Sequence, residues 1–370
     1  MTQLKVDTIT DAAGTAAPDL EDGLTVNGGS ALSTVNTAEY YSSGTEPSSP
    51  KDGAIWWDTA NDKVMIYVND AWYEIELGAS AASAVWYGDR GVEAGGALTG
   101  STRYNIIDYY DITTTGNATD FGDLTQGRSY LPGFSDGTYG VFAGGYTTSA
   151  RTVTIDYITV ATTGNATDFG DTTVARHDSG GTSDPTRGLI AGGDQSSGSD
   201  NTIDYVTIAT PSNATDFGDL LYSGRGLSGC SDGTYAVFFG NGGSDNEGIE
   251  YVTIQTTGNG TDFGDATSGG YGGAAASDGT YGLYAGRYNN KNIIDYVTIA
   301  TPSNATDFGD LTYGRWGCGG MHNATRMVIT AGYSKYYVDY IEMATTGNAT
   351  DFGDSTQNRF GTATTSGAAA

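Results

Sequence analysis

The string Thr-Asp-Phe-Gly-Asp occurs six times, with its phenylalanines at Phe121, Phe169, Phe217, Phe263, Phe308 and Phe352, at intervals of 48, 48, 46, 45 and 44 residues. No other feature restricts the fold as much. A period of this size means that one supersecondary unit recurs and that each copy buries its apolar face against the next. An acid-Tyr pair precedes every copy, at Asp108-Tyr109, Asp156-Tyr157, Asp204-Tyr205, Glu250-Tyr251, Asp295-Tyr296 and Asp339-Tyr340. Further upstream lies an apolar run closed by small residues, as in Val141–Gly145, Leu189–Gly193 and Leu283–Gly286.

Each repeat holds four strand-sized segments. In the second repeat they are Arg128–Ser135, Tyr139–Ala143, Thr154–Ala161 and Thr167–Thr172, with a Ser-Asp-Gly-Thr turn at Ser135–Thr138. Composition agrees: 57 Gly with abundant Thr and Tyr and few helix formers read as all-β, and 26 Tyr, 11 Phe and 5 Trp supply a core. Four strands in about 46 residues is the size of one propeller blade. Six copies therefore predict a six-bladed β-propeller over residues 86–370. The first repeat, from Trp86, lacks its own leading strand, and a spare one, Arg359–Ser366, follows the last repeat. Pairing that spare strand into the first blade is expected to remove the open edges.

The order of elements resembles the kelch repeat. That resemblance implies an inner strand led by Arg, an apolar strand closed by Gly-Gly, a strand with an acid-Tyr pair, and an outer strand with a large aromatic, here Phe in place of Trp. Arg follows the Phe by seven residues at Arg128, Arg176, Arg315 and Arg359 and by eight at Arg225; only Gly270 breaks the pattern. The Gly pairs are expected to relieve crowding near a central channel.

Residues 1–45 are polar and Gly-rich and need a partner surface to fold, copies of themselves or a docking site. Residues 46–78 read as a three-strand meander, Gly53–Asp58, Lys63–Val68 and Trp72–Leu77, with turns at Asn61-Asp62 and Asn69-Asp70, and 79–85 as a linker. Leu4–Ile9 with Gly23–Gly28 resembles the start of many tailed-phage fibre and virion proteins. Pro50–Thr59 with Tyr67–Trp72 resembles a small module of the same proteins, notably in phages of cyanobacteria and other marine bacteria. The resemblance implies a kelch-like propeller carried on a small N-terminal β attachment module. It also implies a homotrimer held to other tail or neck proteins of the virion through residues 1–78. No apolar leader is present at the N-terminus and no apolar run approaches bilayer length. Synthesis in the host cytoplasm, no membrane insertion and a final place in the virion are the expectations.

A net charge of -28 repels phosphate backbones, which argues against nucleic-acid partners. Cys230 and Cys318 fall in different repeats and read as buried free thiols. Asp-Phe-Gly is a kinase motif elsewhere, but six copies without a catalytic loop make it a blade element. Its acids are expected to cap turns and pair with the repeated Arg, with calcium as the alternative ligand. Asn-Ala-Thr precedes five of the six copies and reads as a hairpin turn rather than a glycosylation site. His177 and His322 lie in separate repeats and assemble neither a metal site nor a triad. No cofactor and no catalytic residue is assigned, and the chain reads as a non-enzyme.

Two loop classes are nearly constant among repeats, the first-to-second and third-to-fourth turns. The second-to-third loops differ in every repeat. They carry Arg103, Tyr104, Tyr146, Arg151, Arg287, Tyr288, Lys291, Tyr333, Lys335, Tyr336 and Tyr337. Aromatic faces beside hydrogen-bonding groups suit sugar rings, and rigidly held loops are where binding concentrates. The expectation is a face that binds a host envelope glycan or protein. A solvated face on a structural or decorating virion protein, a glycan-cleaving propeller and a cellular kelch adaptor are the alternatives.

Overall fold

The computed structural model describes residues 5–6, 25–26, 30–31, 40–51, 53–58, 63–68, 71–77, 87–98, 102–240, 247–330, 332–333 and 335–368. The chain is all-β and divides into two compact units, Met1–Ala84 and Val85–Ala370. In the first unit, Ile55–Asp58, Lys63–Val68 and Ala71–Leu77 form the antiparallel meander. Lys5–Val6 and Tyr40–Ser43 add to its two edges in parallel, giving five strands. Trp56 is buried there, its ring edge-on to Trp72 at 5.5 Å. The expected turns at 61–62 and 69–70 and the linker at 79–85 lie outside the described residues.

The second unit contains six four-stranded antiparallel sheets in a repeating, propeller-like arrangement. Sheet two shows the pattern: Gly133–Ser135, Tyr139–Ala143, Thr154–Thr159 and Thr167–Asp171, each strand paired with the next. The first strands of sheets three to six are Gly180–Ser183, Ser228–Ser231, Ala274–Ser277 and Gly320–His322. Sheet one takes its first strand from the other end of the chain: Ala363–Gly367 pairs antiparallel with Arg90–Ala94. These six first strands touch in cyclic order around a central channel.

The core lies between sheets. Phe134, Val141 and Phe169 of sheet two, for example, pack against Ile190, Val206 and Ile208 of sheet three. Each repeat Phe is buried and meets the Tyr of its acid-Tyr pair edge to face, at 5.7–6.2 Å between centroids in all six sheets. The recurrence of the two motifs together is thus one contact repeated six times. Burial of each Phe contributes roughly 1.5–3 kcal/mol and the ring geometry up to about 1.5 more.

The acids of the Thr-Asp-Phe-Gly-Asp string do not meet the repeated Arg. Instead the Arg plugs into its own sheet on the acid of the acid-Tyr pair: Arg128 on Asp156 at 2.8 Å, Arg176 on Asp204 at 3.0 Å, Arg359 on Asp108 at 2.7 Å, and Arg315 on Asp339. All four are fully buried, and Arg128 also donates to the carbonyls of Gly144 and Phe142. Sheet two's first strand begins at Gly133 and not at Arg128. The Gly pairs relieve close approaches as expected, since a Cβ on Gly144 would sit 2.8 Å from the Arg176 carbonyl oxygen and one on Gly145 3.0 Å from that of Ser129, and they also set the path of the chain. Gly144 and Gly145 have φ of +57° and +104°, so they turn the chain by a backbone path that side chains disfavour.

The outer strands lock to the following sheet. Asn165 Oδ1 accepts the Asp123 amide at 3.0 Å, and the Ala166 and Gly164 amides donate to the carbonyls of Asp123 and Phe121. Asn117, Asn213, Asn259, Asn304 and Asn348 repeat the side-chain bond. The pair Asp354–Asn117, at 3.1 Å, therefore closes the last sheet on the first. The glycine of the motif is required because a Cβ on Gly122 would sit 2.3 Å from the Gly164 carbonyl oxygen.

Candidate functional site

The channel is wide at one end and narrow at the other. The narrow end, about 50 Å³, lies beside the first-to-second turns and is crowded by Ser135, Ser183, Ser231 and His322. Ser183 and Ser231 each donate a hydroxyl hydrogen bond to the carbonyl of the preceding serine. The wide end is a cavity of about 350 Å³ on the face of the second-to-third loops.

Around the mouth of that cavity stand two positions of the repeat, one and two residues after the Arg site; the second lines it in all six repeats and the first in four, at His177, Arg225, Tyr271 and Trp316. The second position is Tyr130, Asp178, Gly226, Gly272, Gly317 and Gly361, and all six have φ between +58° and +69°. Their backbones form a closed ring: each amide donates to the carbonyl of its neighbour at 2.6–2.8 Å, from Tyr130 on Gly361 round to Gly361 on Gly317. The first position carries six different side chains, Ser129, His177, Arg225, Tyr271, Trp316 and Phe360. Arg225 thus belongs to this rim. Gly224 holds the Arg site of its repeat, and the buried acid there, Glu250, accepts the Leu221 amide at 2.7 Å.

Aromatic rings run along the mouth in unbroken contact. Tyr146 meets His177 at 5.2 Å, His177 meets Tyr130 at 5.8 Å, and Tyr130 meets Phe360 at 5.7 Å. Phe360 meets Trp316, which stacks on Tyr333 at 5.0 Å. Trp316 also meets Tyr288, which stacks on Tyr271 at 4.7 Å. Tyr146, Tyr288 and Tyr333 were expected from their loops. Tyr130, His177, Tyr271, Trp316 and Phe360 were missed. The available signal was the residue after the Arg site, which differs in all six repeats while its surroundings repeat.

Among the described residues, several charged groups meet in one sector of the mouth. Arg151 pairs with Asp194 at 3.1 Å and Arg225 with the same carboxylate at 3.6 Å, while Arg103 and Arg151 lie 5.7 and 6.0 Å from the Tyr146 ring. Burial pushes the Asp178 carboxyl up to about 7, with the negative charge of Asp194 adding and Arg225 opposing. His177 is lowered, chiefly by burial, so its ring is neutral near pH 7.

Other expected site residues lie elsewhere. Arg287 is fully buried on Asp295 at 2.5 Å and donates to the Ser268 carbonyl. It fills the space left by Gly270, whose Cβ would come within 2.9 Å of the Arg287 Cβ, so it is a structural plug and not a surface ligand. Lys291 is tied to Ser268 and Gly269. Tyr104 is half-buried and its backbone bridges Gly96 and Arg128. Lys335, Tyr336 and Tyr337 form a separate cluster with Tyr313. Among the described residues, no group of three His, Cys, Asp or Glu converges to hold a metal. No protein-family model matches this chain, and no curated protein matches it in sequence.

Proposed function

We propose that residues 85–370 are a closed six-bladed kelch-like propeller and that the chain is a fibre or appendage protein of a tailed-phage virion. Residues 1–78 attach it to the particle as a trimer, and the propeller presents its open channel face to a host envelope glycan. The observation that carries the binding reading is the run of contacting aromatic rings at the cavity mouth. It sits on the face where the repeats differ, whereas the opposite face has near-constant turns. Half-buried aromatic rings with a few polar groups between them suit sugar faces and hydroxyls. The attachment reading rests on the resemblance of Leu4–Ile9 and Pro50–Thr59 to virion modules.

Binding is favoured over cleavage of the glycan. Hydrolysis of a glycosidic bond uses two carboxyls across the scissile bond. Asp178 is the one carboxyl among the described residues lining the cavity. The test applies the full chain to an array of bacterial surface polysaccharides and images labelled virions. Retention without release of fragments, lost in Tyr288→Ala and Tyr333→Ala, is the expected result. Fragment release, or no retained polysaccharide, overturns it.

A further inference from the structure

At the second rim position the chain itself shows which residue the backbone favours. Four of the six repeats place Gly there, at φ of +64° to +69°. Tyr130 and Asp178 adopt φ of +58° and +59° at the same position, a conformation that costs a residue with a Cβ, and a bulky one most. Both are in adjacent repeats, and both line the cavity. The backbone ring needs neither side chain, since its bonds are amide to carbonyl throughout. Strain kept at two of six equivalent sites, where it places a phenol and a carboxyl in one mouth, points to a ligand.

The cavity limits what that ligand is. About 350 Å³ is at the small end of ligand pockets and takes one sugar ring. The channel narrows to about 50 Å³ beyond it, so a polymer enters by its end and cannot thread through. Aromatic rings stand on one side, Tyr271 and Trp316, while Asp178 and Arg225 bring hydrogen-bonding groups to the same lining. A net charge of -28 disfavours an anion, and the arginines of this sector already meet Asp194 and the Tyr146 ring.

We propose that the channel mouth is a binding site for the terminal residue of a neutral glycan, a single pyranose stacked on the aromatic wall with its hydroxyls on Tyr130, Asp178 and Arg225. This deepens the glycan reading above and rests on it for the source of the sugar.

The experiment titrates the full chain with methyl glycosides of glucose, galactose, mannose and N-acetylglucosamine, and with methyl glucuronide as the acidic control. Saturation-transfer NMR and calorimetry read the binding. The variants are Tyr130→Gly and Asp178→Gly, which install the residue already used at the other four positions. At least one neutral glycoside should bind, about tenfold or more weaker in each variant, and both variants should melt higher than the parent. Equal binding by parent and variants, preference for the glucuronide, or no binding by any glycoside overturns the proposal. The polysaccharide array separates it from the broader reading. Polysaccharide retained equally by parent and Gly variants leaves the glycan reading standing and removes the mouth from it. Glycosides bound at the mouth with no polysaccharide retained has the reverse meaning.

Discussion

Five guanidinium groups, those of Arg128, Arg176, Arg287, Arg315 and Arg359, are withdrawn wholly from water onto an aspartate in the middle of a sheet. Removing one partner strands the other charge, so Arg128→Ala should cost about 3–5 kcal/mol in denaturant unfolding. Arg225→Ala, at the half-exposed rim, should cost less than about 1 kcal/mol. Asp178 should also make stability depend on pH. Its folded carboxyl titrates near 7, facing Arg225, Asp194, Tyr130 and Tyr271, while the unfolded chain titrates in the ordinary carboxylate range. The folded state therefore holds the extra proton between roughly pH 4 and 7, and stability from this group falls as pH rises through that window. Asp178→Asn should flatten that slope in unfolding curves. Burial raises both thiols, Cys318 to about 11, so neither cysteine should alkylate at neutral pH until the protein unfolds. The sequence marks the Arg sites by their fixed phase but not their partners, because every repeat offers several acids and the one that is met, in the acid-Tyr pair, is chosen by packing. It does not mark Asp178, whose role comes from a backbone angle and from neighbours in other repeats.

At the scale of the strand, the third-to-fourth turn is a clasp for the preceding sheet. Gly122 has φ of +151° and no room for a Cβ against Gly164. Gly122→Ala should therefore destabilise by about 1–3 kcal/mol, and Asn165→Ala by about 1, in thermal or denaturant unfolding. The strands themselves were legible from alternation and from the turn residues Asp136-Gly137 that separate them. The clasp was not, because Asn-Ala-Thr looks like a local hairpin signal and its partner, Asp123, lies in the preceding repeat. The same limit hid Arg287, whose loop position suggests exposure. Only the packing shows that it and Gly270 have exchanged places.

For the unit of residues 85–370, closure by the C-terminal strand matches the expectation from the spare Arg359–Ser366 segment. Deleting residues 359–370 would remove Arg359 from Asp108, the two rim residues Phe360 and Gly361, and the strand that covers Arg90–Ala94. That truncation should unfold at lower temperature, lose amide protection first at Arg90–Ala94, and self-associate through the bared edge. In sheet one Tyr110 donates to Glu93 Oε2 at 2.9 Å and contacts Ser355, where the matching positions one repeat later are Ile158, Phe142 and Leu124. Gly88 lies against Gly367, so closely that a Cβ on Gly88 would sit 2.4 Å from the Gly367 carbonyl oxygen, and that approach has a consequence for the gene. Those two residues touch at the one place where a first-to-second turn is missing. Splicing the ends there would complete a sixth hairpin, and a start codon could then be moved to the hairpin of any other repeat. The order of modules along the messenger is thus one of six equivalent cuts through a cyclic text.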